Sequence, residues 1–269
     1  MIPAGKPAFF APYVLPYVRR YLRRSFHAVY MLGEPPTFLD DGRTPLIVCL
    51  NHSSWWDVLL AYYLEKEFFG WELYGVMDER QLMRYRIFNH LGMIGVDRTS
   101  LQGAKDFLDY SETLLRGRRR ALWLTPQGAM LSNDVRPVVF QPGLAHLAQR
   151  LTSFHLARVT LHYEFWDDKL PEAFVSIAPI EYFASNTTIS RREFLHTQER
   201  LLASEMDSLL STARRRDPSV FTPLIQGKTG ISPTYDLLRG LSARLRGRNF
   251  SLDHSALNTP AWKKRPKRK

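Results

Sequence analysis

Apolar and polar positions alternate in blocks along most of this chain. Short apolar runs predict strands at 45–51, 72–77, 93–97 and 120–125, and two more near 157–164 and 173–183. Between them, apolar residues recur at helical spacing and predict helices at 55–66, 79–90, 102–116 and 142–152. In the third helix, Ala104, Phe107, Leu108, Ser111, Leu114 and Leu115 make one face. Strand and helix in alternation argue for an α/β fold, a single domain with a mostly parallel, helix-covered sheet. Further helical patterns run from Thr188 to Arg216 and from about Thr234 to Arg246. From Asn249 on, the chain is polar and basic and reads as a flexible tail.

The N-terminal segment has a different pattern. Val18, Leu22, Phe26 and Val29 are spaced by four, four and three, which predicts a helix after Pro16. Arg19, Arg20, Arg23, Arg24 and His27 fill its other side, and acids are absent from Ala8 to Gly33. A basic amphipathic helix with tyrosines lies well in a membrane interface. A helix packed on the domain with a solvated basic face fits the same spacing. Gly33 to Arg43, with two prolines and Gly42, reads as a loop. Three parts are therefore expected: an amphipathic segment (1–40), a catalytic-sized α/β domain (41–225), and a C-terminal helix with a basic tail (226–269).

Charge sharpens the picture. The 269 residues carry 37 Lys and Arg against 26 Asp and Glu, a net of +11, which points to an anionic partner. An anionic membrane surface fits best, because no nucleic-acid-binding motif is present. No apolar run reaches the roughly 20 residues of a transmembrane helix, and the N-terminus lacks a signal-peptide layout. The expected location is peripheral, on the cytoplasmic face of a membrane. The single cysteine, Cys49, excludes an intramolecular disulfide framework and a cysteine-rich zinc site.

The chemistry concentrates at Leu50-Asn51-His52-Ser53-Ser54-Trp55-Trp56-Asp57, where the first predicted strand runs into a helix. A histidine beside a carboxylate makes a general base at neutral pH. Ser54-x-x-Asp57 is equally a helix-capping pattern that needs no catalysis. Trp55 and Trp56 fit an acyl pocket or plain core packing.

Three further blocks follow: Gly92-Met93-Ile94-Gly95-Val96-Asp97-Arg98, Leu124-Thr125-Pro126-Gln127-Gly128, and Phe140-Gln141-Pro142-Gly143. In order and spacing, Pro45 to Tyr182 resembles the phospholipid/glycerol acyltransferase family, whose blocks are Asn-His-x4-Asp, a Gly-x-Ile-x-Val-Asp-Arg-like run and Phe-Pro-Glu-Gly-Thr-Arg. The resemblance implies a glycerolipid-acyltransferase-like fold and direct acyl transfer. His52, oriented by Asp57, takes the proton from a lipid hydroxyl that attacks an acyl-CoA or acyl-carrier-protein thioester. Backbone N–H groups near the helix start hold the oxyanion. No metal and no cofactor beyond the acyl donor is implied, and no Gly-x-Ser-x-Gly elbow is present. Substrate-binding roles fall to Asn51, Asp97, Arg98, Gln127 and Gly128.

The third block departs from the family pattern. Its glutamate is Gln127, its threonine is Ala129 and its arginine is Met130. Arg136 or an arginine of the 116–120 cluster is left to replace that arginine. A thioether cannot make a bidentate contact to phosphate, so the acceptor is either a lysophospholipid bound differently or a non-phosphate amphiphile such as a glycosylated lipid or isoprenoid. The competing readings are a non-catalytic basic membrane-binding protein and a thioester hydrolase.

Overall fold

The computed structural model describes residues 1–7, 11–37, 41–184 and 190–227. The helix expected at Thr234–Arg246 and the basic tail lie outside the described residues. A nine-stranded sheet organises the rest. Its strands are β1 (Ala28–Leu32), β2 (Leu46–Leu50), β3 (Glu72–Asp78), β4 (Met93–Val96), β5 (Arg120–Leu124), β6 (Ser153–Glu164), β7 (Glu172–Ile177), β8 (Glu181–Ala184) and β9 (Phe221–Gln226). The spatial order is β4-β3-β5-β2-β6-β7-β1-β9, with β8 paired to the first half of β6. From β4 to β6 all pairs are parallel; β7 then runs antiparallel to β6.

Side-chain alternation sets the layers. Leu46, Val48 and Leu50 of β2 enter one core, and Ile47 and Cys49 enter the other. A strand buried on both faces needs the unbroken apolar run that the sequence shows. The first core is closed by α1 (Ala11–Ser25) and α2 (Asp57–Leu64), and the second by α5 (Leu101–Leu115), α6 (Gly143–Arg150) and α7 (Arg191–Ala213). Between these lie the short helices α3 (Glu79–Arg84) and α4 (Ile87–His90).

Several expectations need correction. The N-terminal helix stops at Ser25, and Val29 belongs to β1, which pairs with β7 and β9. Residues 28–32 of the expected 1–40 segment thus lie inside the sheet. The 79–90 helix is two helices, since Tyr85 leaves helical geometry at φ −121° and ψ 62°. The 173–183 strand is split into β7 and β8. Strand β6 starts at Ser153, earlier than expected, because Ser153 and His155 interrupt the apolar pattern of its first residues; Arg158, inside it, is buried. That guanidinium is satisfied by Glu205 and Gln198 of α7, at 2.8 Å each, and by Glu181 at 2.5 Å. Strand β9 had no counterpart among the expected elements.

After β3 the chain leaves toward β4, and after β5 it leaves toward β6. These opposite departures open a crevice between the carboxyl ends of β3 and β5. Behind the crevice, α2 continues into a π-helical turn (Glu65–Phe69) that carries the fully buried Glu65. Its carboxyl accepts the Trp71 N–H at 2.6 Å and the Trp123 indole N–H at 2.8 Å. Burial pushes it up to about 7, from an ordinary value of 4.5. The folded state then holds this proton more tightly than the unfolded chain, so stability falls as pH rises from about 4.5 to about 7. Glu65→Gln removes this titration. The melting temperature of the variant relative to wild type is expected to rise by several degrees between about pH 5 and about pH 7.5. Melting curves across that range check it, and a constant difference would show that Glu65 does not titrate there.

Candidate active site

β2 delivers Asn51 and His52 to the carboxyl edge of the sheet, and α2 begins five residues later at Asp57. Asp57 is 2% exposed. A carboxylate this buried needs donors. Its Oδ2 accepts from His52 Nδ1 at 2.7 Å, from the Ser53 N–H at 2.9 Å and from the Ser54 N–H at 3.0 Å. Its Oδ1 accepts from the Tyr163 hydroxyl at 2.5 Å. The carboxylate that holds the imidazole also fixes the turn ahead of α2, whose own start has no side-chain cap. A carboxylate accepts only, so Nδ1 carries the hydrogen and the Nε2 lone pair is left for a substrate.

Tyr163 is the residue that the sequence did not single out. It stands near the end of β6, and burial, followed by the Asp57 charge, raises its hydroxyl well above the ordinary tyrosine value. It remains a donor. Its only sequence signal was an aromatic at a strand end. Phe26, which follows α1, stacks on its ring at 5.8 Å.

The other expected site residues separate into two groups. Asn51 is fully buried, and its amide donates to Leu161 O at 2.9 Å and Asn133 Oδ1 at 2.7 Å while accepting from Leu161 N at 2.7 Å. It ties the His52 loop to β6. Asp97 turns its carboxylate onto Thr99 and Ser100 ahead of α5; bonds from Ser100 and Thr99 lower it to about 2. Arg136 pairs with Asp207 of α7 and donates to the carbonyls of Asn133 and Val135. The 116–120 arginines lie at and just before the amino end of β5, at the opposite end of the strand from the crevice. There Arg116 pairs with Glu112, Arg120 bonds Glu72 at 2.9 Å and Arg119 lies over Trp71. Neither they nor Arg136 line the crevice.

Arg98 and Gly128 do meet His52. A cavity of about 330 Å³ is lined by His52, Asp57, Arg98 and Gly128 together with apolar walls that include Ala61, Met93 and Trp123. A second cavity, of about 450 Å³, shares Arg98, Gly128 and Thr125 and reaches Phe107 and Gln141. Arg98 donates to the Gly128 carbonyl between them. Gly128 sits at φ +74°, and a Cβ there would stand 2.7 Å from the Arg98 guanidinium and 2.8 Å from Gln141. The Leu131 N–H bonds His52 O at 2.8 Å, so the third block is fastened to the first. Gln127 is buried and lines neither cavity; Trp55, which is exposed, and Trp56 line neither as well.

The N–H groups of Ser53 and Ser54 are occupied by Asp57. Ala129 and Met130, which line the His52 cavity, keep backbone N–H groups without a partner among the described residues.

Fold and site together define the class: an α/β protein whose polar centre sits at the carboxyl ends of parallel strands, beside an apolar cavity. A family model described as Acyltransferase matches residues 28–182, more than half of the chain. The chain belongs to that family and is an acyltransferase. Among solved structures it is similar to the 1-acyl-sn-glycerophosphate (LPA) acyltransferase PlsC from Thermotoga maritima. That match has a TM-score of 0.51 and 13% identity over 73% of this chain and 78% of that one, which is a likeness of fold. Comparison with curated proteins returns no match.

Removing the Tyr163 hydroxyl leaves Asp57 Oδ1 buried without its donor. Tyr163→Phe is expected to lower kcat about tenfold, equivalent to roughly 1.4 kcal/mol, with little change in the KM of either substrate. Steady-state kinetics beside a melting curve check this. A lower melting temperature with wild-type kcat would reduce Tyr163 to a packing role.

Proposed function

We propose that the protein moves a fatty acyl group from an acyl-CoA or acyl-carrier-protein thioester to the hydroxyl of a lipid acceptor of the lysophospholipid or glycerolipid type. The observation that carries this reading is the 2.7 Å contact between His52 Nδ1 and the buried Asp57 carboxylate, at the mouth of an apolar cavity. His52 Nε2 takes the acceptor hydroxyl proton as that oxygen attacks the thioester carbonyl. Asp57 stabilises the imidazolium that forms. The tetrahedral intermediate collapses with cleavage of the C–S bond, and the thiolate leaves with the proton from Nε2. The Ala129 and Met130 N–H groups are the candidate donors to the oxyanion. The Ala61, Met93 and Trp123 walls suit an alkyl chain.

PlsC, which shares the fold, is a 1-acyl-sn-glycerophosphate acyltransferase, and this supports the lysophospholipid form of the reading. One observation favours a second form, a non-phosphate acceptor such as a glycosylated lipid. Among the described residues, Arg98 is the sole Arg or Lys lining either cavity, and Asp78 and Asp97 stand beside it. No bound cofactor enters the scheme, since the thioester is a co-substrate. Among the described residues, no helix is long and apolar enough to cross a membrane. The basic face of α1 suits peripheral contact with an anionic membrane at its cytoplasmic side.

His52→Ala is expected to lower transfer by about 10²–10⁴-fold. The assay uses labelled acyl-CoA with a panel of lysophospholipids and glycolipids; transfer that persists in the variant would eliminate His52 as the base. Loss of acyl-CoA without an acylated product would mark a hydrolase. Arg98→Ala is expected to raise the KM of the true acceptor about tenfold and leave that of the donor unchanged. An unaltered acceptor KM would take Arg98 out of the acceptor site.

A further inference from the structure

A line of aromatic rings, exposed at both ends and buried at Phe88, runs beside the His52 cavity. At its centre, Trp55 meets Tyr21 of α1 and Phe88 of α4, each with ring centroids 6.4 Å apart. Tyr21 stacks on Tyr17 at 5.9 Å, and Phe88 meets Tyr85 at 6.5 Å. Five rings from three distant segments thus form one strip. One end is α1. The other is the break between α3 and α4, where all five residues of Met83-Arg84-Tyr85-Arg86-Ile87 are exposed. Met83, Tyr85 and Ile87 leave 52%, 48% and 50% of their surface in water.

Three adjacent half-exposed apolar side chains on a helix break cost solvation free energy unless something covers them. Charge indicates what does. Arg84 and Arg86 alternate with the apolar residues, and no carboxylate occurs between Arg80 and Val96. At the α1 end, Arg20, Arg23 and Arg24 form no salt bridge among the described residues, and only Arg19 is paired, with Glu67. Aromatic rings flanked by unpaired arginines suit the boundary between acyl chains and anionic headgroups.

The strip also borders the cavity. Gln81 and Asp78, just ahead of Met83, line the cavity beside His52, and Trp55 follows His52 by three residues.

We propose that Met83–Ile87 is a second membrane-inserting element which, joined to α1 through Trp55 and Phe88, docks the protein on an anionic phospholipid bilayer with the His52 cavity at the lipid surface. Membrane contact by α1 alone is the simpler alternative. The proposal rests on the acyl-transfer reading only for its purpose: the lipid substrate then enters from the bilayer without crossing water.

Flotation of the full chain with vesicles, in the absence of any acyl donor, tests it. The vesicles are phosphatidylcholine alone or phosphatidylcholine with phosphatidylglycerol. One variant is Met83→Ser/Tyr85→Ser/Ile87→Ser, and the other is Tyr13→Ser/Tyr17→Ser on α1. All five positions are exposed, and circular dichroism and melting curves verify the fold. Each variant is expected to bind the anionic vesicles at least about tenfold more weakly than wild type. A Tyr85→Cys protein carrying an environment-sensitive label is expected to report an apolar surrounding on binding. Wild-type flotation of the 83/85/87 variant, or a label at 85 that stays in water, would overturn the proposal. So would equal binding to phosphatidylcholine alone. Because binding is read without turnover, absence of acyl transfer would count against the catalytic reading and leave this result standing.

Discussion

The site depends on one buried carboxylate. Asp57 is taken out of water, and a charge in that position is tolerable only when its oxygens are filled with donors. The four it receives come from the His52 ring, two successive N–H groups of the turn before α2, and the Tyr163 hydroxyl of β6. Each donor has a second attachment. The turn is the start of a helix, His52 is tied through its carbonyl to Leu131, and Tyr163 is packed under Phe26. The imidazole therefore has one orientation, with Nδ1 toward the carboxylate and Nε2 toward the cavity. A flexible histidine on a loop would forfeit this alignment.

The opposite wall is built differently. The Gly128 turn can approach Arg98 closely only because position 128 has no side chain. Its carbonyl occupies part of the Arg98 guanidinium, while Gln127 is buried away from both cavities and Met130 lines the first of them. The third-block position that carries an arginine in the family's pattern is the neutral Met130 here. The His52–Asp57 pair is held by the β2–α2 turn and β6, whereas Arg98 and Gly128 follow β4 and β5.

Much of the architecture was legible in the residues. The unbroken apolar runs of β2 and β5 specify strands buried on two faces, and the spacing of α5 and α7 specifies helices. The failures have physical causes. Val29 continues a helical spacing by coincidence, because two neighbouring strands bury Ala28–Leu32 on both edges. The helical pattern of 79–90 persists through a break, since Phe88 must reach the core while Met83–Ile87 turns outward. Ser153 and His155 mask the first residues of β6, and Arg158 is buried within it only because its partners Gln198 and Glu205 arrive from about forty residues away.

The sequence by itself determined the α/β pattern, the pairing of His52 with Asp57 across one strand-to-helix turn, and the placement of Arg98 and Gly128 at strand ends. The α/β pattern is encoded in local spacing, whereas the roles of His52, Asp57, Arg98 and Gly128 are what the order of the blocks, through the family resemblance, implies. Only the tertiary structure decided that Tyr163 completes the shell of Asp57, that Asn51 holds β6, and that Arg136 faces α7. These contacts join residues about 70 to 110 positions apart, and the folding of the sheet, which no spacing rule records, brings them together.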